Sequence, residues 1–373
     1  MISYVLPTRD RHDRLVSTLH AVSQLGSHAD VGGAELLIVD NASQTLPVVP
    51  KELPSGIPVR LIRRETNEGA AARNAGVEAS DPASGWIVML DDDSHPTDTK
   101  FLGALKGVAD EVGAVMADIR LPRLGTREVG GLPEVFIGCG VAIRREAFLK
   151  LGGYDPAFNY YVEEYDLAAR LLLAGYRVEF DPAFRIDHAK DVTNRNMDLI
   201  LERLVRNNGW VVQRYAPEQH RREELREVRT RYRSIARKEK AMAGFTRGLV
   251  ELRETIRSQP RTPLSKSLYE RFTGKAHAIS ALEREHRNCS FHTAAIVEPG
   301  KNAWVVREAL AEMGVREVDA TDDPEILVIG TMSPGPMIDA AERWSVRNDR
   351  WRMAAPWKVV NDLIRRPVRS GAA

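Results

Sequence analysis

The run Trp86-Ile-Val-Met-Leu-Asp91-Asp92-Asp93-Ser-His95-Pro96 constrains this chain more than any other stretch. Four apolar residues, Ile87 to Leu90, are too few for a helix and read as a buried strand that stops on three successive carboxylates before a proline. In open α/β sheets ligands bind just beyond the carboxyl ends of parallel strands, so the triplet sits where a ligand would be handled. Strand alternation would send Asp91 and Asp93 to one side and Asp92 to the other. Two convergent carboxylates suit a hard divalent cation, which commonly reaches phosphate oxygens through one or two such groups. The competing reading is a solvated Asp-Asp-Asp-Ser turn ahead of a helix near Thr99.

The stretch before the triplet repeats one pattern. Apolar runs at Ile2–Leu6, Leu36–Val39 and Val59–Ile62 are each followed by a polar loop, and helical stretches follow the first and third. Strands alternating with helices predict βαβ units and a mostly parallel sheet flanked by helices, an α/β fold. Arg9, Arg11, Asp40, Asn67, Arg73 and Asp91 would then gather at one sheet edge, a binding face.

In order along the chain stand Leu6-Pro7-Thr8, Val39-Asp40-Asn41-Ala-Ser43, Asn67-Glu-Gly69 with Ala72-Arg73-Asn74-Ala-Gly76, and Leu90-Asp91-Asp92-Asp93. Gly138-Cys-Gly140 to Phe148, Gly152-Gly153-Tyr-Asp155, and Glu163-Glu164-Tyr-Asp166-Leu167 with Arg170 and Gly175-Tyr176 follow. Together these resemble the inverting family 2 glycosyltransferases with the GT-A fold over about residues 1 to 215. The resemblance implies that Asp40 meets the nucleotide base, Asp91 lies near the ribose, and Asp93 holds a metal, Mn²⁺ or Mg²⁺, that bridges the donor diphosphate. Thr8, Arg9, Arg11, Asn67, Gly69 and Asp92 complete the implied donor-binding set, with Arg73 reaching a phosphate through its fork. Solvated loop charge remains the alternative for Arg9 and Arg11, and simple turn chemistry for Asn67 and Gly69.

From Tyr161 to Leu173 the apolar spacing predicts a helix with Glu163 and Glu164 in its first turn and Gly175 as its stop. The helix dipole alone is a sufficient reason for acids there. Glu164 also precedes Leu167 and Leu171 by three and seven residues, so it leans toward the buried face. In the resembling family the second acid of this pair deprotonates the acceptor hydroxyl, which implies Glu164 as base with Glu163 beside it. The family usually has Asp there, so the reach is one methylene longer. Asp166 and Arg170 read as a structural ion pair. Val178–Phe180 reads as a strand, and His188 beyond it matches a family histidine that completes the metal shell; a structural histidine is the alternative.

Past Pro217 the composition shifts, and residues 216–288 read as a helical segment. Within 220–240 arginines and lysines outnumber acids at helical spacing, which offers a face to an anionic membrane surface or to nucleic acid; a solvated amphipathic helix packed on the catalytic domain is the other reading. Residues 289–373 resemble a small Rossmann-like βαβ module. Its turn has one glycine, Gly300, where a dinucleotide fingerprint asks for three, so a docking or dimerising role, including homo-oligomerisation, fits better.

The 53 basic and 52 acidic side chains nearly cancel, so no global charge argues for a nucleic-acid partner. Two cysteines cannot build a disulfide framework or a four-ligand zinc site. Free thiols, no basic-flanked apolar leader and no run of 18 apolar residues place the protein in the cytoplasm, peripheral on a membrane if 220–240 docks there. The expected function is metal-dependent inverting transfer of a sugar from a nucleotide-diphosphate donor to a glycan or lipid-linked acceptor hydroxyl, in cell-surface glycan synthesis. The rivals are a nucleotidyltransferase, against which the missing Gly-rich, Lys-bearing loop counts, and a non-catalytic nucleotide-sugar-binding protein.

Overall fold

The apolar runs form strands in the order the sequence implies. The computed structural model describes residues 1–190, 196–347 and 352–365. Nine strands, β1 (Ile2–Thr8), β2 (Ala34–Asn41), β3 (Val59–Arg64), β4 (Trp86–Met89), β5 (Ser94–Pro96), β6 (Val112–Leu121), β7 (Thr126–Arg127), β8 (Val141–Arg144) and β9 (Arg177–His188), share one sheet. Its order is β3-β2-β1-β4-β8-β6-β9-β5, with β7 paired off this path against β6. Pairing is parallel from β3 to β4 and antiparallel for β4 with β8, β6 with β8 and β5 with β9. The sheet is therefore mixed. Parallel neighbours need a long crossover, which α2 (Ala72–Ala79) and α1 (His12–Ser23) supply in the first half; no helix separates β6 from β8.

Two compact units divide the chain: Met1–Asp118 with Phe136–Tyr269, and Ile119–Val135 with the chain from Glu270 onward. In the first unit Val5, Leu6, Leu36 to Val39 and Ile87 to Leu90 are fully buried. Its helices continue with α3 (Lys100–Lys106), α4 (Arg145–Lys150), α5 (Glu163–Leu173), α6 (Met197–Tyr215), α7 (Glu218–Lys238) and α8 (Met242–Thr255). A Cβ on Gly244 would fall 1.9 Å from the carbonyl oxygen of Asp198, so only glycine lets α8 lie this close along α6. α7 buries Val228, Tyr232 and Ala236, and packs against both neighbours. The helices after Pro217 thus belong to the first unit as far as Tyr269.

α9 (Lys266–Thr273) leads into the second unit, where α10 (Lys275–Asn288), α11 (Ala303–Glu312), α12 (Pro334–Arg347) and α13 (Lys358–Arg365) flank a small sheet. Its strands, β10 (Thr293–Val297), β11 (Arg316–Glu317), β12 (Ile326–Ile329) and β13 (Met353–Ala354), pair in parallel in the order β11-β10-β12-β13. The Ile119–Val135 segment is held in this unit by ion pairs. Arg127 donates to Asp339 and Glu342 at 2.8 Å, and Glu134 accepts from Arg271 at 2.6 and 2.8 Å and bonds His277 at 3.0 Å. Among the described residues, no helix is long and apolar enough to cross a membrane.

Candidate active site

The acidic triplet is a turn, not the end of an extended strand. β4 stops at Met89, and Ser94 N–H donates to the Asp91 carbonyl at 3.1 Å. Strand alternation therefore fails: one guanidinium, Arg11, bridges Asp92 and Asp93, while Asp91 bonds Arg73. Arg11, at the mouth of α1, donates to Asp92 at 2.6 Å and to Asp93 at 2.5 Å. Thr8, the last residue of β1, donates to the other Asp92 oxygen at 2.8 Å. Nor is the turn solvated, since Asp92 and Asp93 are only 3% and 5% exposed. Burial pushes the Asp92 carboxyl up to about 7 against the pull of Arg11 and Thr8. At Asp93 the same upward push is outweighed by His188 and Arg11, which bring it down to about 2.

Sheet register delivers His188. β5 pairs antiparallel with β9 so that Ser94 faces His188, and Ala189 N–H donates to the Asp93 carbonyl at 2.8 Å. His188 Nε2 then lies 3.2 Å from Asp93, while its Nδ1 lies 3.7 Å from the Cys139 sulfur. Ser94 Oγ accepts from Asp91 N–H at 2.8 Å and donates to the Cys139 carbonyl at 3.0 Å, tying the triplet to the 138–140 turn. Asp91, Cys139 and His188 each bring a donor atom within 4.8 Å of the others. Carboxylates with an imidazole fit a divalent ion, and Cys139 is a thiol neighbour that sequence reasoning did not select.

The expected helix is α5, with Glu163 and Glu164 opening it. Glu164 is half-buried and accepts from Gly138 N–H at 3.2 Å, whereas Glu163 is buried with one oxygen unpartnered. Burial raises both carboxyls above the usual range, and the neighbouring Glu164 charge raises Glu163 further. Arg73, also buried, opposes that shift at both and bonds Asp91 and the Leu90 carbonyl. Gly138 and Cys139, adjacent in sequence, therefore touch Glu164 on one side and His188 on the other.

Residues 3–161 match the model of glycosyl transferase family 2. This part of the chain is similar to the family 2 glycosyltransferases. An uncharacterized glycosyltransferase of Haemophilus influenzae is 28% identical over 197 residues, which are 46% of this chain and 62% of the relative's length. The matched region thus spans less than two thirds of that relative. The crystal structure of GalNAc-T7 with UDP, GalNAc and Mn²⁺ is 17% identical, covers 71% of this chain and 59% of its own, and superposes with a TM-score of 0.51, a likeness of fold.

The other residues expected at the donor site fall outside the acidic cluster. Asp40 is fully buried, bonded to Arg63 at 2.5 Å and to Ser43 N–H at 3.3 Å. Arg63 was not selected from the sequence, although it is the parallel-strand partner of Asp40. Arg9 is exposed, with Asp10 at 3.8 Å. Asn67 accepts from Gly69 N–H and from Asn41 at 3.0 Å each, which is turn chemistry. Gly69 has φ +64°, and a Cβ there would sit 2.1 Å from the Asn159 carbonyl oxygen, so this loop lies directly on the segment that leads into α5. Asp166 bonds Arg170 at 2.9 Å, Arg214 at 2.8 Å and Tyr215 at 2.7 Å, which ties α5 to α6 as the expected structural ion pair and more.

Proposed function

We propose that the protein is a metal-dependent inverting glycosyltransferase that uses a nucleotide-diphosphate sugar. The observation that supports this most is the Gly138-Cys139 dipeptide, which sets Glu164 and the Asp93–His188 pair on neighbouring residues. An acceptor base and a phosphate-handling group must stand one sugar apart for direct displacement. A divalent ion, Mn²⁺ or Mg²⁺, held by Asp93 and His188 would neutralise charge on the departing diphosphate.

Glu164, with its carboxyl raised by burial, is poised nearer neutral pH than a free carboxylate and takes the proton of the acceptor hydroxyl. The acceptor oxygen then bonds the anomeric carbon from the face opposite the diphosphate, and the sugar–oxygen bond breaks with its electron pair leaving on the diphosphate. Arg73 keeps Asp91 oriented, and Arg11 orders Asp92 and Asp93. The acceptor on this reading is a glycan or lipid-linked hydroxyl in cell-surface glycan synthesis, and the second unit serves docking or homo-oligomerisation.

Thermal unfolding against a panel of nucleotide-diphosphate sugars, with Mn²⁺ and with EDTA, tests it. One donor should raise the midpoint only when metal is present, because a ligand of the native state stabilises it. A panel that moves the midpoint equally in EDTA would remove the metal, and one that never moves it would remove the donor.

A further inference from the structure

α7 carries five arginines, Arg222, Arg226, Arg229, Arg233 and Arg237, spaced four, three, four and four residues apart, and all are exposed. At about 100° and 1.5 Å per residue they occupy an arc of about 80° in a straight row about 22 Å long. Among the described residues none of the five has an ion-pair or ring partner. Their neighbours on the same helix do. Arg221 bonds Glu218 at 2.6 Å and Gln213 at 2.9 Å, and Arg231 lies over the Tyr232 ring. Glu223, Glu224 and Glu227 project at least about 40° outside the arc, and Glu218, at its near end, is already held by Arg221 and Arg261. With a formal net charge of +1 over the whole chain, this row is a local concentration and not the overflow of a basic protein.

We propose that the row docks the protein peripherally on an anionic bilayer surface. The helix is a fixed ruler, because Val228, Tyr232 and Ala236 anchor it on α6 and α8. Five guanidinium groups in line on a convex helix can meet a flat array of phosphates together, and their forks suit phosphate oxygens. A polymer strand gains more from a groove. No aromatic residue lies between the arginines on this face to stack bases, as single-stranded nucleic acid would require. The apolar face of α7 is spent inward, so attachment is electrostatic and without insertion, and weakens with salt. Each arginine near such a surface strengthens partition about fivefold. This inference does not depend on the sugar-transfer reading.

Co-sedimentation of the full chain with vesicles of phosphatidylcholine, alone or mixed equally with phosphatidylglycerol, tests it without any donor. Wild type should pellet with the mixed vesicles at low ionic strength, stay in solution with phosphatidylcholine, and be released by about 0.5 M salt. Arg226→Gln with Arg233→Gln should weaken partition by about 25-fold. Arg231→Gln with Lys238→Gln, an equal loss of charge on the far flank, should weaken it less than threefold; equal losses in the two pairs would overturn the row in favour of general charge. Wild type left in the supernatant with mixed vesicles at low salt would overturn the proposal outright. Tighter binding to polyphosphate or duplex DNA than to the vesicles, lost in the same variant, would overturn the bilayer as partner. Unchanged melting midpoints verify that the exposed substitutions leave the fold intact.

Discussion

The side-chain amide of Asn207 donates to the backbone carbonyl of Tyr161 at 2.7 Å and lies 3.0 Å from the carbonyls of Phe158 and Tyr160. Asn159, Tyr161 and Val162 all have left-handed backbone, with φ of +62°, +70° and +73°. Such a conformation is costly for a β-branched residue and persists only where surroundings enforce it. Here the fully buried Asn207 side chain on α6 holds the segment that runs directly into Glu163 and Glu164. Asn207→Ala should leave these carbonyls without their donor, cost about 1 to 3 kcal/mol of stability, and lower kcat at least about tenfold with donor affinity intact, since proton removal depends on where the base stands. Calorimetry beside initial rates separates the two. Asn207→Gln that restored kcat, or an alanine variant that lost donor affinity in proportion to rate, would count against a positioning role.

Glu164→Gln is nearly isosteric and cannot accept a proton. It should bind donor and metal as wild type does while turnover falls by about 10² to 10⁴. Glu163→Gln is the control, because it removes an equal charge from the same helix end. Its buried, unpartnered oxygen means the substitution should leave turnover within a few-fold and raise stability at neutral pH. The rate should also rise with pH through a carboxyl above the usual range, because burial raises Glu164 and only its ionised form is a base. A pH–rate profile that is flat from 5 to 8, or a loss confined to Glu163→Gln, would move the base elsewhere.

What could be read in the sequence was what depends on neighbours in the chain. The strand before Asp91 and the helix behind Glu163 follow from short apolar runs, Pro96 and Gly175. The turn at Asp91 to Ser94 carries its signal too, since Ser94 caps Asp91 N–H, but strand alternation carried on to Asp93 runs four residues past the end of β4 at Met89. The Asp93–His188 contact came from the family's pattern and not from spacing, because it depends on β5 pairing with β9 across more than 90 residues. Cys139 and Asn207 gave no local signal: one is a small apolar residue in a turn, the other a polar residue inside a helix. Ile119–Val135 carries no local signal of the unit it joins, because the ion pairs that hold it there reach residues 137 to 215 positions on.

Arg11 is the countercharge that Asp92 and Asp93 share. If the two carboxylates are a metal site, Arg11→Ala should lower the melting midpoint in EDTA and regain more of it with Mn²⁺ than wild type does. Asp93→Asn should abolish the metal dependence of donor binding, read by calorimetry with and without EDTA. A midpoint for Arg11→Ala that ignores Mn²⁺, together with donor affinity in Asp93→Asn equal to wild type, would leave these acids a purely structural cluster.

Glu134 gives the second unit a defined acid sensitivity. Burial alone would raise its carboxyl, but the two hydrogen bonds from Arg271 and the contact with His277 bring it down from 4.5 to about 2. A carboxyl depressed in the folded state contributes stability that is complete above the unfolded value and is lost as the pH falls toward the folded one. The window is therefore about pH 4.5 down to about 2, and the shift corresponds to on the order of 3 kcal/mol. Glu134→Gln, which keeps the shape and gives up the charge, should melt well below wild type at pH 7. The difference between the two should hold to about pH 5, shrink steadily below that, and nearly vanish by pH 2. Urea unfolding of both proteins across this range measures it directly, and taking the difference cancels every other carboxylate. A gap independent of pH would mean that Arg271 and His277 contribute packing and hydrogen bonds but no charge stabilisation at this site.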